Sequence, residues 1–155
     1  MSSTEILLIR HGETAWNIVK RLQGHTDIPL NAEGRRQAKA LAFALENEKL
    51  AAIISSDLQR AVQTAGEIAR LQGLPTRIDT DLRERCFGGF EGQLYSELPH
   101  MYPAEYAAWR ACEPDAEFPP GEHSGETIRR FAARILPCVS HYARQFSGPV
   151  ASKST

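Results

Sequence analysis

The feature that most constrains the fold is Ile6-Leu7-Leu8-Ile9, four apolar residues in a row that run straight into Arg10-His11-Gly12. A short run that is apolar at every position predicts a strand buried on both faces, as inside a parallel α/β sheet. Ligands of such sheets gather at the carboxyl ends of the strands, where the three following residues fall. Arg10 offers a planar fork for the oxygens of an anion, His11 a nucleophile or base, and Gly12 a backbone that can be approached closely. A strand followed by an ordinary polar turn would carry the same letters, so these residues alone leave the two readings level.

The remaining chain alternates helix and strand signals, which predicts layers of helix packed on a mostly parallel sheet. After a polar stretch over residues 13–29, Asn31 is placed to cap a helix whose apolar positions are Ala38, Leu41, Ala42 and Leu45. Gly34 in its first turn is a small cost. Residues 51–54 read as a second buried strand. Ser56 and Gln59 have the spacing of a capping box, and Leu58, Ala61, Val62, Ala65, Ile68 and Ala69 form the stripe of the next helix, stopped by Gly73 and Pro75. Arg60 lies off that stripe near a strand end, where it can point to the same place as Arg10. Residues 76–78 predict a third strand, and residues 82–92 a glycine-rich loop. Residues 95–109 read as an irregular helix broken at Pro99 and Pro103, and residues 113–125 as a surface loop or lid. A last helix is expected from Ser124 as cap, kinked or split at Pro137.

Bulk properties exclude several classes of partner. With 155 residues and 42% hydrophobic composition the chain is read as one globular domain, residues 1–155, with a real core. A formal net charge of -1 argues against nucleic acid or an anionic membrane as a partner held by bulk electrostatics. An anionic ligand must be caught locally instead. Cys86, Cys112 and Cys138 have neither the number of a disulfide framework nor the spacing of a metal site. No leader or membrane-length segment is read, so the cytoplasm is the expected compartment. Self-association is left open.

In order along the chain, the motifs Leu8-Ile9-Arg10-His11-Gly12-Glu13-Thr14 with Asn17, Gln23-Gly24 with Asp27, Pro29 and Leu30, Ser55-Ser56-Asp57-Leu58 with Arg60, Leu82-Arg83-Glu84, and Gly125-Glu126-Thr127 with Arg134 resemble the histidine phosphatase superfamily. Phosphoglycerate mutases and α-ribazole phosphatases belong to that superfamily, and the resemblance spans nearly the whole chain. It implies a three-layer α/β/α sandwich of the phosphoglycerate-mutase-like kind. It also implies phosphoryl transfer from a small phosphorylated metabolite, with no metal and no other cofactor. His11 matches the family's nucleophile, which becomes a phosphohistidine, and Arg10 and Arg60 match its phosphate-binding arginines. Glu84 matches the proton donor. Gly12, Asn17, Gln23 and Gly24 are carried over as substrate-binding positions. Water as acceptor makes the chain a phosphatase, and a second hydroxyl makes it a mutase-type isomerase. The short chain favours the phosphatase. His25 is read either as a pocket residue or as a surface histidine, and Trp16 and Trp109 as packing residues.

One departure stands out. The family carries a second histidine late in the chain, after an apolar strand, where this chain reads Val150-Ala151-Ser152-Lys153-Ser154-Thr155. The domain is therefore read as carboxyl-terminally incomplete, with the last strand and helix missing. Two expectations follow: turnover impaired while an anion is still bound, and an unpaired sheet edge beside the first strand. A binding-only or degraded family member is the alternative reading.

Overall fold

The computed structural model describes residues 4–146 and 150–152. Four strands, β1 (Ile6–Leu8), β2 (Ala52–Ser55), β3 (Thr76–Ile78) and β4 (Val150–Ser152), form one sheet in the order β1-β4-β2-β3. Every pairing is parallel, as the unbroken apolar runs predict. The helices are α1 (Ala15–Ile18), α2 (Ala32–Ala44), α3 (Gln59–Gln72), α4 (Leu98–Met101), α5 (Pro103–Arg110) and α6 (Ile128–Gln145).

Strand β2 shows how the layers arise. Successive side chains of a strand point to opposite faces. Ile53 packs with Ala42, Leu50, Ala65, Ile68 and Ala69 beneath α2 and α3. Its neighbours Ala52 and Ile54 face the other way, onto Leu82, Ile135 and Cys138 beneath α6. One strand thus closes two cores, and the result is the expected three-layer sandwich. A third cluster, with Leu22, Phe90 and Leu98 at its centre and Phe87, Tyr102, Tyr106, Trp109 and Phe118 around them, lies under the long loops.

The expected absence of the last strand is corrected by β4. Val150 pairs in register with Ile6 on one side and Ala52 on the other, and Ser152 with Leu8 and Ile54. Three residues suffice because a central parallel strand satisfies hydrogen-bonding groups of both neighbours at once. The slot between β1 and β2 is filled. Among the described residues, however, β1 is an end strand paired on one side alone, and its Leu8 is 65% exposed, so the first strand keeps an open edge and is not buried on both faces as its sequence predicts. Residues 153–155, where the resemblance places the second histidine, lie outside the described residues.

Several boundaries differ from expectation, each for a local reason. The N-cap of α3 is Leu58, which has no side-chain cap bond. Ser56 does not close a capping box. Asp27 reaches in from the loop before α2, and its Oδ1 accepts from Gln59 N at 2.7 Å. Pro99 sits in the first turn of α4 and Pro103 opens α5, positions where a missing N–H costs nothing, so neither breaks a helix internally. The cap of α6 is Thr127 rather than Ser124, its hydroxyl accepting from Arg130 N at 3.2 Å. Pro137 lies inside α6 without splitting it. It is exposed, so the carbonyl it leaves unpaired can be solvated.

Gly34 has a reason that sequence alone does not show. A Cβ there would collide with the backbone of Glu13, and one on Gly12 would collide with the backbone of Gly34. The start of α2 and the Arg10-His11-Gly12 turn therefore touch backbone to backbone. That contact sets the turn's height above the sheet.

Candidate active site

The carboxyl ends of β1 and β2 open on the same side of the sheet because the strands are parallel. From β1 the chain passes through Arg10 and His11, and from β2 it turns at residues 56–58 into α3, whose second residue is Arg60. The two segments are joined directly. Gly12 N donates to Thr64 Oγ1 at 3.2 Å, and Thr64 Oγ1 donates to the Arg60 carbonyl at 2.8 Å. A cavity of about 480 Å³ lies above them, with Arg10, His11, Asn17, Gln23, Gly24, Arg60 and Glu84 on its walls. Gly12 falls just outside, on two smaller clefts it shares with Arg10 and His11.

The geometry of His11 restricts its tautomer. Its Nδ1 lies 2.6 Å from the carbonyl oxygen of Gly12. A carbonyl can only accept, so Nδ1 carries the hydrogen and the lone pair of the neutral ring resides on Nε2.

Arg60 is 1% exposed, which rules out the solvated helix residue that its off-stripe position suggests. Its Nη1 donates to the Thr26 carbonyl at 2.9 Å and its Nη2 to the Gly24 carbonyl at 2.6 Å. Burial lowers its pKa, while Glu84, Asp27 and Glu91 act in the opposite direction. Arg10 is exposed by contrast. One cation is thus built into the floor and the other stands at the mouth.

Asn17 serves two purposes. Its Oδ1 accepts from Thr14 N at 2.9 Å, closing the capping box of α1. The same side chain lines the cavity, where its NH₂ end can only donate. Gln23 is held from below by the buried hydroxyl of Thr14, 2.9 Å from Oε1. Gly24 has φ 54°, and a Cβ there would strike the Glu91 carboxylate. Only glycine fits on both counts.

Glu84 sits on a loop that is tied down by its main chain. Its carbonyl accepts from Arg134 Nη2 at 3.1 Å and lies 2.7 Å from His25 Nε2. Arg134 also donates to the carbonyls of Asp81 (2.7 Å) and Arg83 (3.0 Å). It is clamped in turn by Glu126, through two bonds of 2.7 Å. Burial opposes the Glu126 charge, yet the bonds from Arg134 and Cys86 N outweigh it and leave the carboxyl below its ordinary range.

Sequence reasoning missed part of the wall. Trp16, read as a packing residue, lines the cavity with Lys20, Arg21, Phe87 and Tyr95. The Arg21 guanidinium lies 5.7 Å from the Trp16 ring centroid and donates to the Gly92 carbonyl. The adjacent basic pair Lys20-Arg21 between two motifs was the available signal. His25 takes neither of its expected places: it is half-buried behind the wall. Trp109 does pack, in the aromatic cluster. Among the described residues no group of three or more His, Cys, Asp or Glu side chains could hold a metal ion, and no helix is long and apolar enough to cross a membrane.

Comparison with known proteins shows the family and the fold. The chain is 43% identical over 146 residues to phosphoglycerate mutase-like protein 4 of Arabidopsis thaliana, covering 93% of this chain and 62% of that protein. It is 37% identical over 140 residues to glucosyl-3-phosphoglycerate phosphatase of Mycobacterium tuberculosis, covering 90% and 60%. The chain thus spans about three-fifths of the length of the curated relatives it matches. Among solved structures, Bacillus stearothermophilus YhfR superposes with a TM-score of 0.86 at 32% identity, over 99% of this chain and 74% of that one. The α-ribazole phosphatase of Shigella flexneri superposes with a TM-score of 0.81 at 28% identity, over 96% and 72%. The family model for branch 1 of the histidine phosphatases matches residues 6–151, and with the fold and the order of motifs already in place, the chain belongs to the histidine phosphatase superfamily.

Proposed function

We propose that this chain transfers the phosphoryl group of a small phosphomonoester to His11 and then to water, as a cofactor-independent phosphatase. The observation that carries this reading is the 2.6 Å contact of His11 Nδ1 with the Gly12 carbonyl, inside a cavity that also holds Arg10, Arg60 and Glu84. In the first step the Nε2 lone pair forms the N–P bond as the bridging P–O bond breaks. Glu84, protonated, gives its hydrogen to the departing oxygen. Negative charge on the three equatorial oxygens is met by the two guanidinium groups and the Asn17 amide, of which Arg60 and Asn17 are held in place before the reaction starts. In the second step water attacks phosphorus, returns a proton to the Glu84 carboxylate, and the N–P bond breaks.

Among the described residues His11 is the one imidazole on the cavity wall. Water, rather than a second substrate hydroxyl, is taken as the acceptor, the reaction that the name of the related glucosyl-3-phosphoglycerate phosphatase gives for that protein. The expected setting is the cytoplasm, with a small phosphorylated metabolite as the partner.

The test is transfer of labelled phosphate from an aryl phosphomonoester to the protein, with His11→Ala as control. Label that is stable in base, labile in acid and absent from His11→Ala supports the proposal. If both proteins bind inorganic phosphate and neither takes label, the site is an anion-binding module and the enzymatic reading falls.

A further inference from the structure

We propose that His25 is a positioning residue for the proton donor, its imidazole tying the main chain at Glu84 to the loop that carries Gln23 and Gly24. The inference rests on the reading of Glu84 as that donor. His25 Nε2 lies 2.7 Å from the Glu84 carbonyl oxygen. Because a carbonyl only accepts, Nε2 carries the hydrogen and donates. His25 is absent from the cavity wall that Glu84 lines, so it acts through Glu84 and never on the substrate.

Both ends of this tie are anchored. The backbone N–H of His25 donates to Glu91 Oε1 at 2.9 Å, and Glu91 also accepts from Phe87 N at 2.9 Å and Thr26 N at 3.1 Å. The Glu91 side chain is only 5% exposed. It joins the loop of Gly24 to the loop of Glu84 from below, and the His25 ring joins them from the side. Arg134 supplies the second donor to the same carbonyl at 3.1 Å. With His25 removed, that carbonyl keeps one of its two ties, and the carboxyl beyond it, whose Oε1 accepts from Arg85 N at 2.7 Å, gains freedom together with the main chain that carries both. A misplacement of about 1 Å at a reacting group costs about 100-fold in rate, so partial loosening is expected to cost about 10-fold.

The ring is surrounded by charged and titratable groups. Glu126 Oε2 lies 4.0 Å from Nε2, and the His123 ring lies edge-on at 6.0 Å and itself contacts Glu91 at 3.4 Å. Arg134 and Asp57 act on it, or are acted on by it, through space. Burial outweighs the bond to the Glu84 carbonyl and the acidic neighbours and holds the imidazole below its ordinary pKa. Nε2 carries a hydrogen in the charged ring and in this neutral tautomer alike, so the tie to Glu84 stands in either state.

The experiment compares first-turnover release of the leaving group from two substrates. The p-nitrophenolate of p-nitrophenyl phosphate departs as a stable anion and scarcely needs an acid. The alkoxide of glycerol 3-phosphate cannot leave without one. His25→Ala is expected to slow alcohol release about 10-fold with KM unchanged, and p-nitrophenol release less than about twofold. His25→Gln, which places an amide N–H near the position of Nε2, is expected to restore alcohol release. Equal losses on the two substrates, no loss on either, or no rescue by Gln overturns the inference. Wild-type protein that releases neither leaving group and takes no label on His11 overturns the parent reading of the site instead.

Discussion

Two arginines on one cavity are unequal because of burial, and their substitutions are expected to separate. Arg10 is exposed, whereas the guanidinium of Arg60 is locked to two backbone carbonyls beneath the surface. A charged hydrogen bond to an anion contributes about 1.5–3 kcal/mol. Arg10→Gln is therefore expected to weaken inorganic phosphate binding about 10-fold or more, measured by calorimetry, with the thermal midpoint unchanged. Arg60→Gln is expected to weaken binding and also lower the thermal midpoint, because the Gly24 and Thr26 carbonyls lose their donor. Equal thermal midpoints for the two variants would contradict the structural assignment of Arg60. Lys20 offers a residue-scale test of strain. It adopts φ 54°, where a β-carbon is unfavourable by about 1 kcal/mol. Lys20→Gly is expected to raise the urea midpoint by about 0.5 kcal/mol equivalent once the entropy of the unfolded glycine is included.

The start of α3 shows how an element can borrow its cap. Sequence spacing points to Ser56, but the bond to the helix N-terminus comes from Asp27, 32 residues away in sequence with α2 and β2 in between. Asp27→Ala is expected to lower stability by about 1 kcal/mol in urea denaturation, as cap losses do. Ser56→Ala is expected to leave the helix N-terminus unaffected. The same loop supplies the carbonyls that hold Arg60, so this cap also aligns the helix with the residues that line the cavity. The apolar stripes of α2 and α3 were legible because they follow the helical repeat. The cap was not, because it joins residues brought together only by the fold.

At the scale of the molecule, the loop over residues 81–87 is held onto the sandwich by the Glu126–Arg134 pair. Both side chains are less than one-fifth exposed, so removing one partner leaves the other charge poorly solvated. Glu126→Ala is expected to cost about 3 kcal/mol of stability, with Glu126→Gln milder. The pH dependence follows from the sign of the shift. The folded pKa of Glu126 lies below its ordinary value of 4.5, so the pair's contribution is fully present above about pH 4.5 and is lost as pH falls through the folded value. Asp57, held down chiefly by its bond with Arg83, has the same sign in a lower window. Wild-type stability is thus expected to fall on acidification below that point. In Glu126→Gln the fall should be shallower, and parallel curves for the two proteins would show that the pair is not the group titrating.

The sequence by itself determined the layering and the residue types offered at the centre. Unbroken apolar runs mark strands of a parallel sheet, although only β2 is buried throughout and β1, at the end of the sheet, leaves Leu8 exposed. A helical repeat selects the face that packs, and the residue types of Arg10, His11, Arg60 and Glu84 name the candidates for the centre. Only the tertiary structure decided what depends on meetings between distant residues. It placed β4 between β1 and β2, buried Arg60 instead of solvating it, moved Trp16 from the core to the cavity wall, and turned His25 toward the carbonyl of Glu84. The physical reason is common to all four. Periodicity and residue type are local properties of the chain, while burial, pairing and hydrogen-bond partners are properties of whatever the rest of the chain places alongside.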